Sequence, residues 1–166
     1  APDGGLVREG SLLLGQQDWQ IEIPNPQIWS SEAPHLYSLY WQVGEEYYRH
    51  QVGIRQLAIQ DNCLYINHQP VKLLGVNHHD SWPDTGATVT LERQRQDLIL
   101  MKGLNFNAVR TAHYPKSPEF YELCDQLGFY VISETDLECH GVVDLYGMGG
   151  NDNYNMLAYD DRFKQA

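Results

Sequence analysis

Hydrophobic and polar positions divide the chain into two parts with different patterns. Up to about residue 60, short apolar or aromatic runs alternate with turn-rich segments, and no helix-period stretch interrupts them. The predicted strands are LLL at 12–14, WQIEI at 19–23, LYSLYWQV at 36–43 and YYRHQVGI at 47–54. We interpret residues 1–60 as part of an immunoglobulin-like β-sandwich, because four or five strands are recognisable where such a domain has about seven.

From residue 61 to residue 166 strands alternate with helices. A hairpin, CLYINHQPV, precedes the strand VKLLGV and a polar loop. A helix is then predicted between Thr90 and Gly103, with the Thr90 hydroxyl as its N-cap. Its predicted apolar face consists of Leu91, Leu98 and Met101.

Two further strands, FNAVR at 106–110 and FYVIS at 129–133, enclose a second helix. Ser117 suits its N-cap and Gly128 its end. The apolar face follows the helical spacing i, i+3, i+4 and i+7 at Phe120, Leu123, Cys124 and Leu127. Successive strand–helix units of this kind predict a parallel sheet with helical crossovers.

Polar clusters follow each of the three predicted parallel strands. They are residues 77–80 (NHHD), 110–113 (RTAH) and 134–140 (ETDLECH). In parallel α/β folds the carboxyl ends of the strands form the binding site, so we expect these clusters to converge.

The last cluster contains Glu138 and His140, two residues apart. In extended backbone both side chains point to the same face, where a carboxylate and an imidazole can hold a divalent cation. The spacing alone is equally consistent with a simple carboxylate–histidine hydrogen bond.

Composition narrows the possible partners and the compartment. With 11 basic and 22 acidic residues the formal charge is −11, which disfavours nucleic acid and anionic membrane surfaces as partners. No apolar run approaches the ~20 residues of a membrane-spanning helix. Three cysteines without C-x-x-C spacing indicate a reducing compartment, and we expect a cytoplasmic protein.

Five motifs occur in a fixed order along the chain: NPQIWSSEAPHLY at 25–37, VGIRQLAI at 52–59, GVNHHD at 75–80, NFNAVRTAHYP at 105–115 and YVISETDLECHG at 130–141. In this order they resemble glycoside hydrolase family 2, most closely its large bacterial β-galactosidases. The resemblance implies an immunoglobulin-like domain followed, from about residue 60, by the first three βα units of a (β/α)8 TIM barrel.

The resemblance also implies roles for individual residues. His79 and His113 match histidines that contact the substrate sugar, and Arg110 matches an arginine near the catalytic nucleophile. Glu138 and His140 match two magnesium ligands, so the segment would carry an incomplete magnesium site. His78 and Asp80 differ from the arginine and glutamate usual in these β-galactosidases.

The two carboxylates that a retaining glycosidase of this family needs follow later barrel strands, so we expect no catalytic residue in this segment. The implied activity is hydrolysis of terminal β-galactosides by the full-length protein, which we expect to be a homo-oligomer. The segment alone should be inactive, because it lacks both carboxylates. Three strands of eight also cannot close a barrel, so the segment needs the remainder of the enzyme chain. The alternatives are a β-glucuronidase or β-mannosidase specificity, or a non-catalytic fragment that completes a partner chain.

Overall fold

The computed structural model describes residues 1–11 and 20–136. Its elements, in chain order, are β1 (Tyr37–Val43), β2 (Glu46–Val52), β3 (Leu57–Gln60), β4 (Cys63–Ile66), β5 (Gln69–Pro70), β6 (Gly75–Asn77), α1 (Leu91–Gly103), β7 (Ala108–Arg110), α2 (Pro118–Leu127) and β8 (Tyr130–Ile132). Within these residues, neither helix is long and apolar enough to cross a membrane.

The first five strands form two small antiparallel sheets. β1 pairs with β2, and β3, β4 and β5 form a three-stranded sheet. Tight turns join the strands of the second sheet, where Asp61, Asn62, Asn67 and His68 adopt positive φ. Asparagine and aspartate tolerate this conformation better than most residues.

These sheets confirm the strands predicted at 36–43 and 47–54 and the hairpin that starts at Cys63. The strand predicted at 19–23 is wrong for residues 20–23, which have no strand pairing, and residues 12–19 lie outside the described part. Pro24 and Pro26, which cannot donate to a strand ladder, follow that segment directly. The complete immunoglobulin-like sandwich and the domain boundary near residue 60 stay predictions.

The predicted parallel sheet is confirmed by the order β6-β7-β8, with both pairings parallel. Three strands do not close a barrel within the described residues. Helices α1 and α2 pack on the sheet around a core in which Leu98, Val109 and Phe120 have no exposed area. Each of these three strands is three residues long, and the polar residues predicted to form the site follow directly at its carboxyl end.

Details of the helix starts differ from the predictions. Thr90 and Ser117 occupy the N-cap positions with extended backbone, but neither hydroxyl makes a capping hydrogen bond. Leu91 is 44% exposed and does not belong to the buried face of α1. Gln94 is buried instead, because this end of α1 faces the polar loop after β6, where Gln94 donates to Asp80, and does not face the apolar core.

A segment before β1 anchors the chain at the amino ends of the parallel strands. The Trp29 side chain is 1% exposed, and its Nε1 donates to the carbonyl of Asp125 at 2.8 Å. Lys102 Nζ donates to the carbonyls of Ser31 at 2.7 Å and Gly128 at 2.9 Å. The opposite ends of the strands are left for the polar loops.

Candidate active site

Three side chains from three strands meet at the carboxyl edge of the parallel sheet. Asn77 ends β6 and pairs in register with Arg110 at the end of β7, and Glu134 follows β8 by two residues. Arg110 donates to Glu134 Oε1 from Nε at 2.6 Å, and Nη2 of the same guanidinium lies 2.5 Å from that oxygen. Nη1 of Arg110 donates to Asn77 Oδ1 at 3.2 Å. The three predicted polar clusters therefore converge as far as they are described, through Asn77, Arg110 and Glu134.

Glu134 also holds His113. Its second oxygen, Oε2, lies 3.2 Å from His113 Nδ1. Because a carboxylate accepts hydrogen bonds, this contact favours the tautomer with the proton on Nδ1 and leaves Nε2 as an acceptor for an incoming hydroxyl. The backbone N–H of Glu134 donates to Thr111 Oγ1 at 3.0 Å, which fixes the start of the loop after β8.

His79 and His113 form an accessible pair of imidazoles. Their ring centroids are 5.4 Å apart at an interplanar angle of 71°. His79 also packs edge-on against Tyr114, with centroids 5.9 Å apart. The side chain of His113 is 42% exposed and His79 is exposed, so both rings can reach a ligand.

Behind these rings lies a buried polar network centred on Asp80. Its Oδ1 accepts from Gln94 Nε2 at 3.0 Å, and its Oδ2 lies 3.1 Å from Lys116 Nζ. The angles of the contact with Lys116 are poor for a hydrogen bond, and Nζ has no hydrogen-bond partner among the described residues, so the contact is an ion pair. The backbone N–H of Asp80 donates to the Tyr114 hydroxyl at 2.9 Å.

His78 points the other way, into the helical layer. Its ring stacks on Phe120 at 5.2 Å and its Nε2 lies 3.3 Å from Asp97 Oδ2. Burial lowers the pKa of His78 and the Lys116 charge lowers it further, whereas Asp97 and Asp80 oppose this shift. Burial is the largest of these effects, so the fold disfavours the charged form of His78.

The structure thus brings together His79 and His113, the predicted sugar contacts, and Arg110, the arginine predicted to lie near the nucleophile. Glu138 and His140, the predicted magnesium ligands, lie outside the described residues. Within residues 1–11 and 20–136, no group of three or more His, Cys, Asp or Glu side chains could hold a metal ion.

The sequence placed Glu134 in a converging cluster without giving it a role, and it did not indicate Lys116 at all. Glu134 carried a usable signal, since it comes directly after a parallel strand and shares its edge with Arg110. Lys116 carried none, because a lysine in a polar loop is ordinarily exposed, and only the fold shows that its side chain has 0% exposure.

Comparison with known proteins agrees with this architecture. Residues 57–166 match the family model described as glycosyl hydrolases family 2, TIM barrel domain. A β-galactosidase of Staphylococcus xylosus is 51% identical over 158 residues, which cover 95% of this chain and 16% of that protein. A β-galactosidase of Actinobacillus pleuropneumoniae is 50% identical over 138 residues, 82% of this chain and 14% of that protein. The chain therefore spans about one sixth of the length of these relatives.

Solved structures of glycosidases share the fold. A Faecalibacterium prausnitzii β-glucuronidase superimposes with a TM-score of 0.66 at 32% identity, covering 69% of this chain and 20% of that one. A β-glycosidase from Bacteroides vulgatus gives a TM-score of 0.62 at 34% identity over 68% of this chain and 16% of that one. With the site at the carboxyl ends of the first parallel strands and a family match over most of its length, the chain belongs to family 2 of the glycosyl hydrolases.

Proposed function

We propose that the full-length protein containing this segment is a retaining β-galactosidase that hydrolyses terminal β-D-galactosides. In this proposal His79 and His113 bind sugar hydroxyls, and Arg110 positions the nucleophilic carboxylate supplied from outside the segment. The observation that carries the proposal is the accessible His79–His113 pair, 5.4 Å apart at the carboxyl edge of a family 2 sheet. The names of the curated relatives support the galactoside specificity.

The charges around the histidine pair support a neutral sugar over an anionic one. The Nε, Nη1 and Nη2 atoms of Arg110 each contact Glu134 or Asn77. Lys116 is buried against Asp80. Arg110 and Lys116 are thus both already paired with carboxylates. A uronic acid needs a cation for its carboxylate, whereas the hydroxyls of galactose need only neutral donors and acceptors.

His113 has a defined part in the proposal. With Nδ1 directed at Glu134, its Nε2 can accept from a sugar hydroxyl while the ring stays fixed by the carboxylate. Hydrogen bonds to sugar hydroxyls that strengthen in the oxocarbenium-like transition state contribute to the rate of glycoside hydrolysis. The acid/base and the nucleophile of the double displacement belong to the part of the protein outside this segment.

The test is a substrate panel on the full-length protein. We expect kcat/KM for a nitrophenyl β-galactoside to exceed that for the β-glucuronide and the β-mannoside by at least about 100-fold. His79→Ala and His113→Ala should each lower kcat/KM for the galactoside about 10- to 100-fold, since each removes a bond to the sugar. Preference for another glycoside would overturn the specificity, and unchanged activity of both variants would overturn the assigned roles.

β-Glucuronidase activity is the second candidate, because solved structures with this fold include β-glucuronidases. It requires a cation for the uronate other than Arg110 and Lys116, which are already paired. The same panel decides between the two candidates, since a glucuronidase would hydrolyse the β-glucuronide preferentially.

Magnesium binding is a further part of the proposal. Glu138 and His140 would hold the ion; the carboxylate suits Mg²⁺, and two protein ligands leave positions for water and other oxygens. When bound, the ion would add positive potential at the mouth of the site.

The metal proposal is tested by thermal unfolding. We expect Mg²⁺ to raise the apparent melting temperature of the full-length protein, and Glu138→Gln to abolish this rise. The matched control is Asp136→Asn at an exposed neighbouring acid. Equal responses of the two variants would exclude Glu138 as a ligand.

A further inference from the structure

We propose that the ion pair between the partly exposed Asp80 and the buried Lys116 is a positioning device that holds His79 against His113. Lys116 would then be a positioning residue for sugar binding, although it does not touch the sugar itself. This inference rests on the proposed function, in which the two histidines contact the substrate.

Lys116 is in an unusual environment for a lysine. Its side chain has 0% exposure, and its Nζ lies 3.1 Å from Asp80 Oδ2 and 4.4 Å from the centroid of the Tyr114 ring. A buried ammonium group is strongly unfavourable without an opposite charge close by. The position of the Asp80 carboxylate is therefore closely tied to the position of Lys116.

Asp80 is fixed by three independent contacts. Gln94 of α1 donates to one carboxylate oxygen at 3.0 Å, and Lys116 lies beside the other. The Tyr114 hydroxyl accepts from the Asp80 backbone N–H at 2.9 Å. Since the backbone and the side chain of Asp80 are both held, residue 79 immediately before it has little freedom to move.

Lys116 is in turn anchored to the third strand unit. Its backbone N–H donates to the Tyr121 hydroxyl at 3.1 Å, and that hydroxyl lies 3.1 Å from Ser133 Oγ just after β8. The ion pair thus joins the loop after β6 to the loop after β7, and through Tyr121 to the end of β8. The same three loops carry His79, His113 and Glu134.

The accessible histidines have few contacts of their own that could hold them together. His79 touches His113 and Tyr114 only through ring edges, at 5.4 Å and 5.9 Å between centroids. Such edge contacts contribute little compared with a buried charge pair. The ion pair therefore adds to two hydrogen bonds that join the same loops, from the His78 N–H to the Arg110 carbonyl at 2.9 Å and from the Asp80 N–H to the Tyr114 hydroxyl at 2.9 Å, and it is the contact that fixes the Asp80 side chain beside His79.

The experiment is a double-mutant cycle on kcat/KM of the full-length protein with a nitrophenyl β-galactoside. We expect Lys116→Met, which keeps the length of the side chain and removes its charge, to lower kcat/KM about 10- to 100-fold through misplacement of His79. In a His79→Ala background the same change should lower kcat/KM by less than about threefold, because the residue it positions is already absent. A general folding defect would lower activity equally in both backgrounds.

A second measurement does not depend on activity. The rate at which diethyl pyrocarbonate modifies His79, measured by peptide mass spectrometry, should change severalfold in Lys116→Met. The matched control is Lys102→Met, which removes another partly buried lysine at the opposite ends of the strands. This control should leave both the modification rate and kcat/KM within about twofold of wild type.

The outcomes separate the two proposals. If His79→Ala retains wild-type activity, its sugar contact in the proposed function fails, whereas the modification rates still test the positioning. If Lys116→Met retains wild-type activity and modification rates, or if its loss is equal in both backgrounds, the positioning role is overturned. Should Lys116→Met not fold, Asp80→Asn removes the other partner of the ion pair and is expected to give the same pattern.

Discussion

One carboxylate oxygen of Glu134 lies 3.2 Å from His113 Nδ1, and the other accepts a hydrogen bond from Arg110 Nε at 2.6 Å. One acidic side chain just after β8 thereby orients Arg110 at the end of β7 and His113 in the loop that follows. Arrangements in which a carboxylate fixes an imidazole tautomer are common in enzyme sites, because they leave the second ring nitrogen in a defined state. Glu134 is thus an orienting group and needs no direct part in bond cleavage.

The first prediction concerns this carboxylate. Glu134→Gln keeps the shape of the side chain but offers one acceptor oxygen and a donor amide to two donor groups. Either Arg110 loses its acceptor, or His113 Nδ1 faces the amide and the ring takes the other tautomer, so we expect kcat/KM of the full-length protein to fall about 10- to 100-fold. Glu92→Gln, at an exposed acid on α1, is the control and should have no effect. Equal activity of the two variants would contradict the orienting role.

The second prediction concerns His78 and pH. Its folded-state pKa is lowered from 6.5 by burial and by Lys116, against the opposing effects of Asp97 and Asp80. The unfolded chain therefore binds the proton more readily than the folded chain. Stability is fully present above pH ~6.5 and declines as the pH falls below this value toward the folded-state pKa, with a slope of at most ~1.4 kcal/mol per pH unit.

Replacing His78 by phenylalanine preserves the stacking on Phe120 and removes the titrating group. We expect the difference in apparent melting temperature between His78→Phe and wild type to shift in favour of the variant as the pH is lowered from 7.5 to about 5. His68→Asn is the control, because His68 is exposed in a turn with φ of 64°, which asparagine tolerates. A pH-independent difference for His78→Phe would show that this histidine does not titrate between the two states.

The sequence predicted the elements that rest on local patterns. The helical spacing of Phe120, Leu123 and Cys124, followed by Gly128, located α2 to within a residue. Polar residues after successive strands located the site edge, since parallel strands share one carboxyl end. The helical spacing and the position of polar residues after strands can both be read along the chain, so one sequence was sufficient to predict α2 and the edge of the sheet that carries the site.

Long-range contacts could not be predicted in this way. Nothing local marks Lys116 as buried, since its burial depends on Asp80, 36 positions earlier, and on the packing of α2. The burial of Gln94 in place of Leu91 on α1 likewise depends on the loop that the helix faces. Such contacts are set by tertiary packing, which overrides local preference.

The third prediction tests the junction at the amino ends of the strands. Gly128 has φ of 74°, and a Cβ placed there would lie 2.3 Å from the carbonyl oxygen of Ser31. Gly128→Ala thus combines an unfavourable backbone conformation with a clash against backbone atoms. It should lower the free energy of unfolding by about 2 kcal/mol or more.

Gly103 provides the matched control at the end of the other helix. A Cβ there meets no atom within 4 Å, so Gly103→Ala should be neutral or stabilise by up to about 1 kcal/mol. Apparent melting temperatures of the two full-length variants check the pair. A Gly128→Ala protein as stable as the Gly103→Ala protein would mean that the segment around Ser31 does not pack against this helix end.

The last prediction concerns thiol reactivity. Cys124 is 1% exposed in the core, and burial, with a smaller contribution from Asp125, raises its pKa to about 12. At pH 8 roughly one Cys124 thiol in ten thousand would be ionised, and the thiolate is the reactive form. Cys63 at the start of β4 is exposed. We expect iodoacetamide to label Cys63 of the native full-length protein at least about 100-fold faster than Cys124, as measured by peptide mass spectrometry. Both should be labelled at similar rates in denaturant, and comparable labelling in the native protein would show that the core around α2 opens readily.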